Sequence, residues 1–258
     1  MDASKIFGNS PGEYRIGVVA LANDQVIERD LVRMLPREAL TFTTRIAFGG
    51  HCTLEQLANM APVLSDAVDL LNPEVELDAV VFGCTSGTIA IGPDNVRSAI
   101  RKSSPKAIVV NPVEAACAAF DHLGAKRLNM VTPYESEIAD LMAHTFSERG
   151  FEIVNRLDFG ITGSADISRV TPEAIFKVAT SLSTRGVDAT FVSCTDFQSL
   201  TVLESIETAT GLPVISSNQA MVWQLVTHSG LTNSIPGYGR LLENFEKEKT
   251  THQQGEIT

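Results

Sequence analysis

Positive charge is the first scarcity in this chain. Twenty Lys and Arg stand against 31 Asp and Glu, a formal net charge of −11. A general nucleic-acid binder needs a basic surface, so nucleic acid is not an expected partner. An anionic small molecule remains admissible, because local backbone N–H groups outweigh net charge. Long apolar runs are also missing. No segment reaches membrane-spanning length, and Met1 to Glu13 is polar, contains Pro11-Gly12 and lacks the apolar centre of a signal peptide. No membrane partner is therefore expected, and the expected location is cytoplasmic. The four cysteines, Cys52, Cys84, Cys117 and Cys194, form no closely spaced pairs, so they read as reduced thiols rather than a disulfide framework. His51-Cys52 has no second ligand pair at metal-binding spacing, and no metal is expected. There is no glycine-rich dinucleotide fingerprint and no phosphate-loop Lys-Ser/Thr. Low-complexity segments are absent too.

What the chain does contain is one sentence written twice. Leu77-Asp78-Ala79-Val80-Val81-Phe82-Gly83-Cys84-Thr85-Ser86 is matched 110 positions later by Val187-Asp188-Ala189-Thr190-Phe191-Val192-Ser193-Cys194-Thr195-Asp196. Each begins with an apolar residue and Asp-Ala, runs through an apolar strand, and ends on a small residue, Cys and Thr. A buried parallel strand reads as such a run, and it carries its Cys to the carboxyl end, where open α/β sheets bind ligands. If the halves are duplicates, Cys84 and Cys194 face each other across one cleft. The bland reading of a free Cys is a small buried hydrophobe. It suits Cys117, inside the helical run Val113–Phe120, better than the two cysteines at strand ends.

The duplication extends further. Expected strands are Ile16–Ala20, Phe42–Ala47, Ala79–Phe82, Ile108–Val110, Leu128–Val131, Ile153–Arg156, Thr190–Ser193 and Val214–Ser216. Apolar residues recur at helical spacing between them: Leu54 to Leu71, where Pro62 must kink or cap the helix; Ile138 to Phe146; and Ile175 to Leu182. Regular strand–helix alternation implies an α/β fold with parallel sheets and right-handed crossovers. About four βα units in each half place the boundary near Leu123-Gly124. Residues 1–122 with 218–258 make the first expected domain and 123–217 the second, the helix Asn218–His228 returning to the first half. The tail after Leu242 reads as frayed.

The turn Cys84-Thr85-Ser86-Gly87-Thr88 is built of small residues that let backbone N–H groups and hydroxyls approach an anion. With no nucleotide motif, a carboxylate is the expected ligand, and the same N–H groups are expected to lower the pKa of Cys84. Cys194-Thr195 supplies a smaller version. Thr132-Pro133-Tyr134 follows the first strand of the second half, as Ala20-Leu21-Ala22-Asn23-Asp24 follows that of the first. Tyr134 is placed to donate to a substrate carboxylate or enolate, or else to pack at a strand end with a solvated hydroxyl. Asn23 and Asp24 either face the cleft or cap the next helix.

These residues, together with Gly211-Leu212-Pro213-Val214-Ile215-Ser216-Ser217-Asn218-Gln219-Ala220, resemble the cofactor-independent aspartate/glutamate racemase superfamily, in particular its maleate cis–trans isomerase and arylmalonate decarboxylase group. The resemblance runs from Arg15 to about Leu242. Ala22-Asn23-Asp24-Gln25-Val26-Ile27-Glu28-Arg29-Asp30 and the Gly-Cys-Thr-Ser-Gly-Thr turn are most similar to ectoine-utilisation proteins of the EutA type. The resemblance implies two flavodoxin-like (Rossmann-like) parallel-sheet domains about a pseudo-twofold axis, with the site between them and no cofactor. It implies Cys84 and Cys194 as catalytic thiols. Asn23, Asp24, Thr85, Ser86, Tyr134, Ser164 and Thr195 are the expected substrate-binding residues, a small carboxylate the expected partner, and a homo-oligomer the expected assembly. Two departures stand out: Asp24 occupies a position where maleate isomerases carry asparagine, and Ser164 falls near a second family asparagine. An Asp at the cleft mouth selects against maleate and favours an amino or amidine group. The expected activity is a two-cysteine isomerase, of the maleate isomerase or the amino-acid racemase kind. An arylmalonate-type decarboxylase and a non-catalytic binding or sensing protein are the alternatives. Decarboxylases of this group use one thiol, which counts against the first.

Overall fold

The computed structural model describes residues 14–71, 76–231 and 234–243. The expectations for the N-terminal segment and for the tail beyond Glu243 lie outside the described residues. Among the described residues there are two four-stranded parallel sheets of identical order. The first contains β1 (Tyr14–Leu21), β2 (Ala39–Ile46), β3 (Ala79–Phe82) and β4 (Ile108–Val110), ordered β2-β1-β3-β4. The second contains β5 (Arg127–Thr132), β6 (Glu152–Asp158), β7 (Ala189–Val192) and β8 (Val214–Ser216), ordered β6-β5-β7-β8. This is the doubly wound, flavodoxin-like order. Its topological switch point lies between the first and third strands of each half, and ligands bind at the carboxyl ends there.

The central strands β3 and β7 are buried along their whole length, as parallel strands covered on both faces must be. Each fully buried Val, Ile or Phe in them contributes about 1.5–3 kcal/mol of transfer free energy. All eight expected strands are present. β2 begins earlier than its apolar pattern, because it pairs with β1 along the whole stretch from Tyr14↔Ala39 to Leu21↔Ile46.

Helices fill the crossovers: α1 (Ile27–Met34), α2 (Leu54–Ala58), α3 (Leu64–Asp69), α4 (Thr85–Ile91), α5 (Pro93–Ser103), α6 (Pro112–His122), α7 (Ser136–Glu148), α8 (Ser164–Ile167), α9 (Pro172–Ser181), α10 (Leu203–Thr210), α11 (Ser217–Ser229) and α12 (Arg240–Glu243). The apolar run Leu54–Leu71 is broken as Pro62 requires. α2 ends before it, a short 3₁₀ turn Ala61–Val63 holds the proline in its first turn, and α3 follows. None of the described helices is long and apolar enough to cross a membrane.

The two halves meet through equivalent helices. α6 follows β4 and α11 follows β8, and the two pack on each other. α6 also reaches β8, and α11 reaches β4 and α1. That reciprocity is what a pseudo-twofold axis demands. Both helices start on strong caps. Asn111 accepts from the Glu114 N–H at 3.0 Å, and Ser216 forms a capping box with Gln219. The sharp starts set the strand-end loops of both halves towards one another.

Candidate active site

One pocket takes its walls from both halves and lies at both switch points. Leu21, Asn23 and Asp24 enter it from the loop after β1, and Cys84, Thr85 and Ser86 from the turn after β3. Tyr134 comes from the loop after β5, Ser164 from that after β6, and Cys194, Thr195 and Asp196 from the turn after β7. Phe48, Cys52, Leu57 and Ile167 complete the lining, which leaves about 350 Å³ between its atoms. All nine residues singled out in the sequence thus line one pocket.

The first-half thiol is held by local geometry. Cys84 has extended backbone (φ −151°) and caps α4, with Sγ accepting the Gly87 N–H at 3.2 Å. Ser86 Oγ lies 3.7 Å from the same sulfur. Gly87 is needed for this approach. A Cβ there would stand 2.5 Å from Met60 Cε and 2.9 Å from Cys84 Sγ. The N–H and hydroxyl do favour the thiolate, as expected, but burial outweighs them and the Cys84 thiol is pushed up to about 11. The expectation of a lowered pKa is corrected on this point: hydrogen bonds visible in the local sequence are overcome by desolvation, which local sequence does not display.

The second-half thiol sits on a different backbone. Cys194 has φ +106°, the one positive φ at a non-glycine position among the described residues. Its N–H donates to Ser217 Oγ at 3.0 Å, the same oxygen that Thr85 Oγ1 reaches at 2.9 Å. Burial, followed by the charge of Asp196, holds the Cys194 thiol well above its ordinary value. Tyr134 itself is raised by burial and then by Cys194 and Cys84. Its side chain is 1% exposed, and its hydroxyl has no hydrogen-bond partner among the described residues. The reading of Tyr134 as a packed tyrosine with a solvated hydroxyl is therefore corrected. The ring packs, but its hydroxyl is enclosed in the pocket.

Asp24 is also placed differently from the expectation of a free carboxylate at the mouth. It is 4% exposed. Its Oδ1 accepts the Val26 and Ile27 N–H groups at 2.8 and 2.9 Å, tying the first turn of α1. Thr195 Oγ1 lies 3.1 Å from both Asp24 Oδ2 and the Gly83 carbonyl oxygen. Burial raises the Asp24 pKa against the pull of these bonds. Asn23 Nδ2 donates to Ser164 Oγ across the halves, and Ser164 Oγ donates in turn to the Gly50 carbonyl at 3.1 Å.

Two ionisable lining residues, Cys52 and Asp196, lie outside the nine. Cys52 is carried by the loop after β2, which pairs with the loop after β6 through Cys52 N–H to the Thr162 carbonyl (2.9 Å). Burial, then Cys84, pushes its thiol up to about 12. The duplication itself was the available signal. The sequence places Ser164 at the cleft, on the loop after β6, and the loop after β2 is its counterpart. Asp196 is the counterpart of Ser86, each following a Cys-Thr pair. Its Oδ1 accepts the Gln25 N–H at 2.8 Å, and burial followed by Asp24 pushes its carboxyl up to about 8. Among the described residues no group of three or more His, Cys, Asp or Glu side chains is arranged to hold a metal ion.

Two parallel-sheet halves of like order, each delivering a Cys-Thr turn to a shared pocket, define a class of pseudo-symmetric α/β proteins with a pocket between the halves. The chain belongs to the arylmalonate decarboxylase family, whose family model matches residues 101–242. It is 22% identical to the maleate isomerase of Geobacillus stearothermophilus, over 89% of this chain and 97% of that protein. It is 24% identical to that of Nocardia farcinica, over 90% and 96%. Among solved structures, the maleate isomerase Iso of Pseudomonas putida S16 superposes with a TM-score of 0.82 at 22% identity, covering 89% of this chain and 98% of that one. A cysteine-to-serine variant of the Nocardia farcinica maleate cis–trans isomerase, solved with a covalently bound succinylcysteine intermediate, superposes with a TM-score of 0.81 at 23% identity, over 89% and 98%.

Proposed function

We propose that the protein is a cofactor-independent isomerase that acts on a small carboxylate through Cys84 and Cys194. The observation that carries this reading is one pocket lined by both thiols and by the unpartnered hydroxyl of Tyr134. Maleate isomerases align with almost the whole chain, and one of them forms a covalent cysteine adduct. Asn23, Asp24, Thr85, Ser86, Ser164 and Thr195 form the polar wall that orients the substrate.

The unequal surroundings of the thiols suggest unequal roles. Cys84 has donors aimed at its sulfur and is the better thiolate, hence the nucleophile. Cys194, beside Asp196 and Tyr134, keeps its proton more firmly and acts as the acid. In alkene isomerisation, the Cys84 thiolate adds to one carbon of a C=C bond, and the Cys194 S–H protonates the other. The new single bond rotates. The Cys194 thiolate then removes that proton, and the C–S bond breaks to leave the trans alkene and both cysteines as they began. In the racemase variant, one thiolate removes an α-proton and the opposite thiol returns one to the other face. Exclusion of water and the Tyr134 hydroxyl stabilise the enolate in either case.

The family match favours one second reading, an arylmalonate-type decarboxylase, but the pair of thiols is more than that chemistry uses. The Ala22–Asp30 stretch is what suggests a place in ectoine use, and the division at 122/123 and 217/218 follows the duplication. The reaction is tested by incubating the protein with maleate, aspartate, glutamate, hydantoins, ectoine-derived diamino acids and an arylmalonate in D2O, followed by NMR. Fumarate from maleate indicates alkene isomerisation, and deuterium at Cα indicates racemase chemistry. Loss of CO2 with one deuterium incorporated supports the decarboxylase. Binding of a compound without turnover or exchange of any favours the sensing alternative.

A further inference from the structure

Asp196 touches the thiol chemistry only through its charge beside Cys194, and it is the one carboxyl of the described pocket wall with a buried oxygen left without a partner. Its side chain is 7% exposed. Oδ1 is bonded to the Gln25 N–H, whereas Oδ2 is buried without a partner among the described residues. The neighbouring carboxyl, Asp24, has both oxygens engaged. Among the described lining residues there is no Lys, Arg or His. Arg45, the nearby cation, is taken up by the carbonyls of Leu21, Ala22 and Asp24 and by Glu28. A buried carboxylate oxygen without a donor is unfavourable, and a donor for this one can arrive with a ligand.

A second carboxylate on that ligand would meet two acidic side chains and no cation in the lining. A protonated nitrogen would meet an acceptor. The pocket also offers the Tyr134 hydroxyl, a buried donor without an acceptor, which suits the ligand's carboxylate. We propose that Asp196 determines specificity by recognising a protonated nitrogen, ammonium or amidinium, on a small monocarboxylate ligand. This rests on the pocket being the substrate site. The raised pKa of Asp196, about 8 from burial and then Asp24, agrees with it.

The test is calorimetric titration of the full chain with 4-aminobutyrate, butyrate and succinate, on the alkaline side of the Asp196 pKa, in wild type and Asp196→Asn. Asparagine keeps the Oδ1 acceptor for Gln25. Wild type should bind 4-aminobutyrate at least about tenfold more tightly than succinate or butyrate, the scale of one charge contact in a partly desolvated site. In Asp196→Asn that preference should vanish or reverse. A wild-type preference for succinate, an undiminished preference in the variant, or no binding of 4-aminobutyrate at millimolar concentration overturns the proposal. The three-ligand order in wild type decides the matter even if the variant does not fold. Binding is read without turnover, so the two readings fail separately. Loss of the isomerase reading would leave the ligand order intact while no compound turned over.

Discussion

The turns after β3 and β7 share a sequence pattern and a place in the sheet, yet they present their thiols differently. The Gly83 N–H bonds the Val19 carbonyl, and the Ser193 N–H bonds the Val131 carbonyl, both at 2.9 Å, so the two strands end alike. Beyond that the backbones part. Cys84 is extended and opens a helix, with Gly87 on the first turn closing on its sulfur. Cys194 is at positive φ and no helix begins there. The counterpart of Gly87 is Phe197, which is buried and packs edge-on against Phe159 at 5.5 Å. One turn sets its thiol against the Gly87 N–H and the Ser86 hydroxyl, the other beside the Asp196 carboxyl and the Tyr134 phenol. The shared pattern brings the two sulfurs to equivalent strand ends, and the third residue past each one, Gly87 or Phe197, gives them different surroundings.

Removing the thiols should have the largest effect, and it breaks the comparison if the roles are not distinct. Cys84→Ala and Cys194→Ala should each lower kcat by about a thousandfold or more, and the double variant should be hardly worse, because the pair acts as a unit. Mass spectrometry should find substrate adduct accumulating on Cys84 in Cys194→Ala and none on Cys194 in Cys84→Ala. Adduct on Cys194 would reverse the assignment. Cys52→Ala and Cys117→Ala should keep most of the activity.

The contrast also marks what the sequence could display. The strands were legible because buried parallel strands are continuous apolar runs, and the Cys-Thr turns because both copies kept their small residues. The halves' mutual packing followed from counting βα units. The fate of Asp24 was not legible, since facing a cleft and binding the Val26 and Ile27 N–H groups require the same residue in the same loop. The positive φ of Cys194 is invisible for a similar reason: the preceding residues match those before Cys84, and the bonds that hold the turn come from Ser217 and Asn218, far along the chain. The environment of Asp196 is not legible either, because it is made by Asp24 and Gln25 from the other half.

A smaller effect separates Ser86 from its counterpart Asp196. The Asp196 carboxyl titrates near 8 in the folded chain against an ordinary 3.8, raised by burial and by Asp24. Arg45 pulls it the other way, and Cys84, Cys194 and Cys52 share the pocket. A raised carboxyl stabilises the fold fully below its unfolded pKa, and this contribution is lost as pH rises through the folded one. Wild type should therefore lose stability from about pH 4 to about pH 8, and Asp196→Asn should lose less, by up to roughly 5 kcal/mol at the upper end, the rise from 3.8 to about 8 at about 1.4 kcal/mol for each pH unit. Ser86→Ala should show no such difference in slope. Urea denaturation across that range measures it, and parallel curves for wild type and Asp196→Asn would show that the carboxyl is not held protonated.

The smallest effect is the most direct reading of the two backbones. A non-glycine residue held at positive φ carries strain of about 1–3 kcal/mol, which glycine escapes. Glycine in return loses about 0.5–1 kcal/mol of chain entropy relative to alanine. At Cys194, with φ +106°, relief should match or exceed the entropy loss, so Cys194→Gly should be at least as stable as Cys194→Ala. At Cys84, with φ −151°, there is no strain to relieve, and Cys84→Gly should be less stable than Cys84→Ala by about 0.5–1 kcal/mol. Both members of each pair lose the thiol and its packing, so these losses largely cancel and the backbone difference remains. Urea midpoints of the four variants give the sign at each site. The same sign at both would mean that the turns differ only in their side chains, and the strain at Cys194 would no longer set it apart from Cys84.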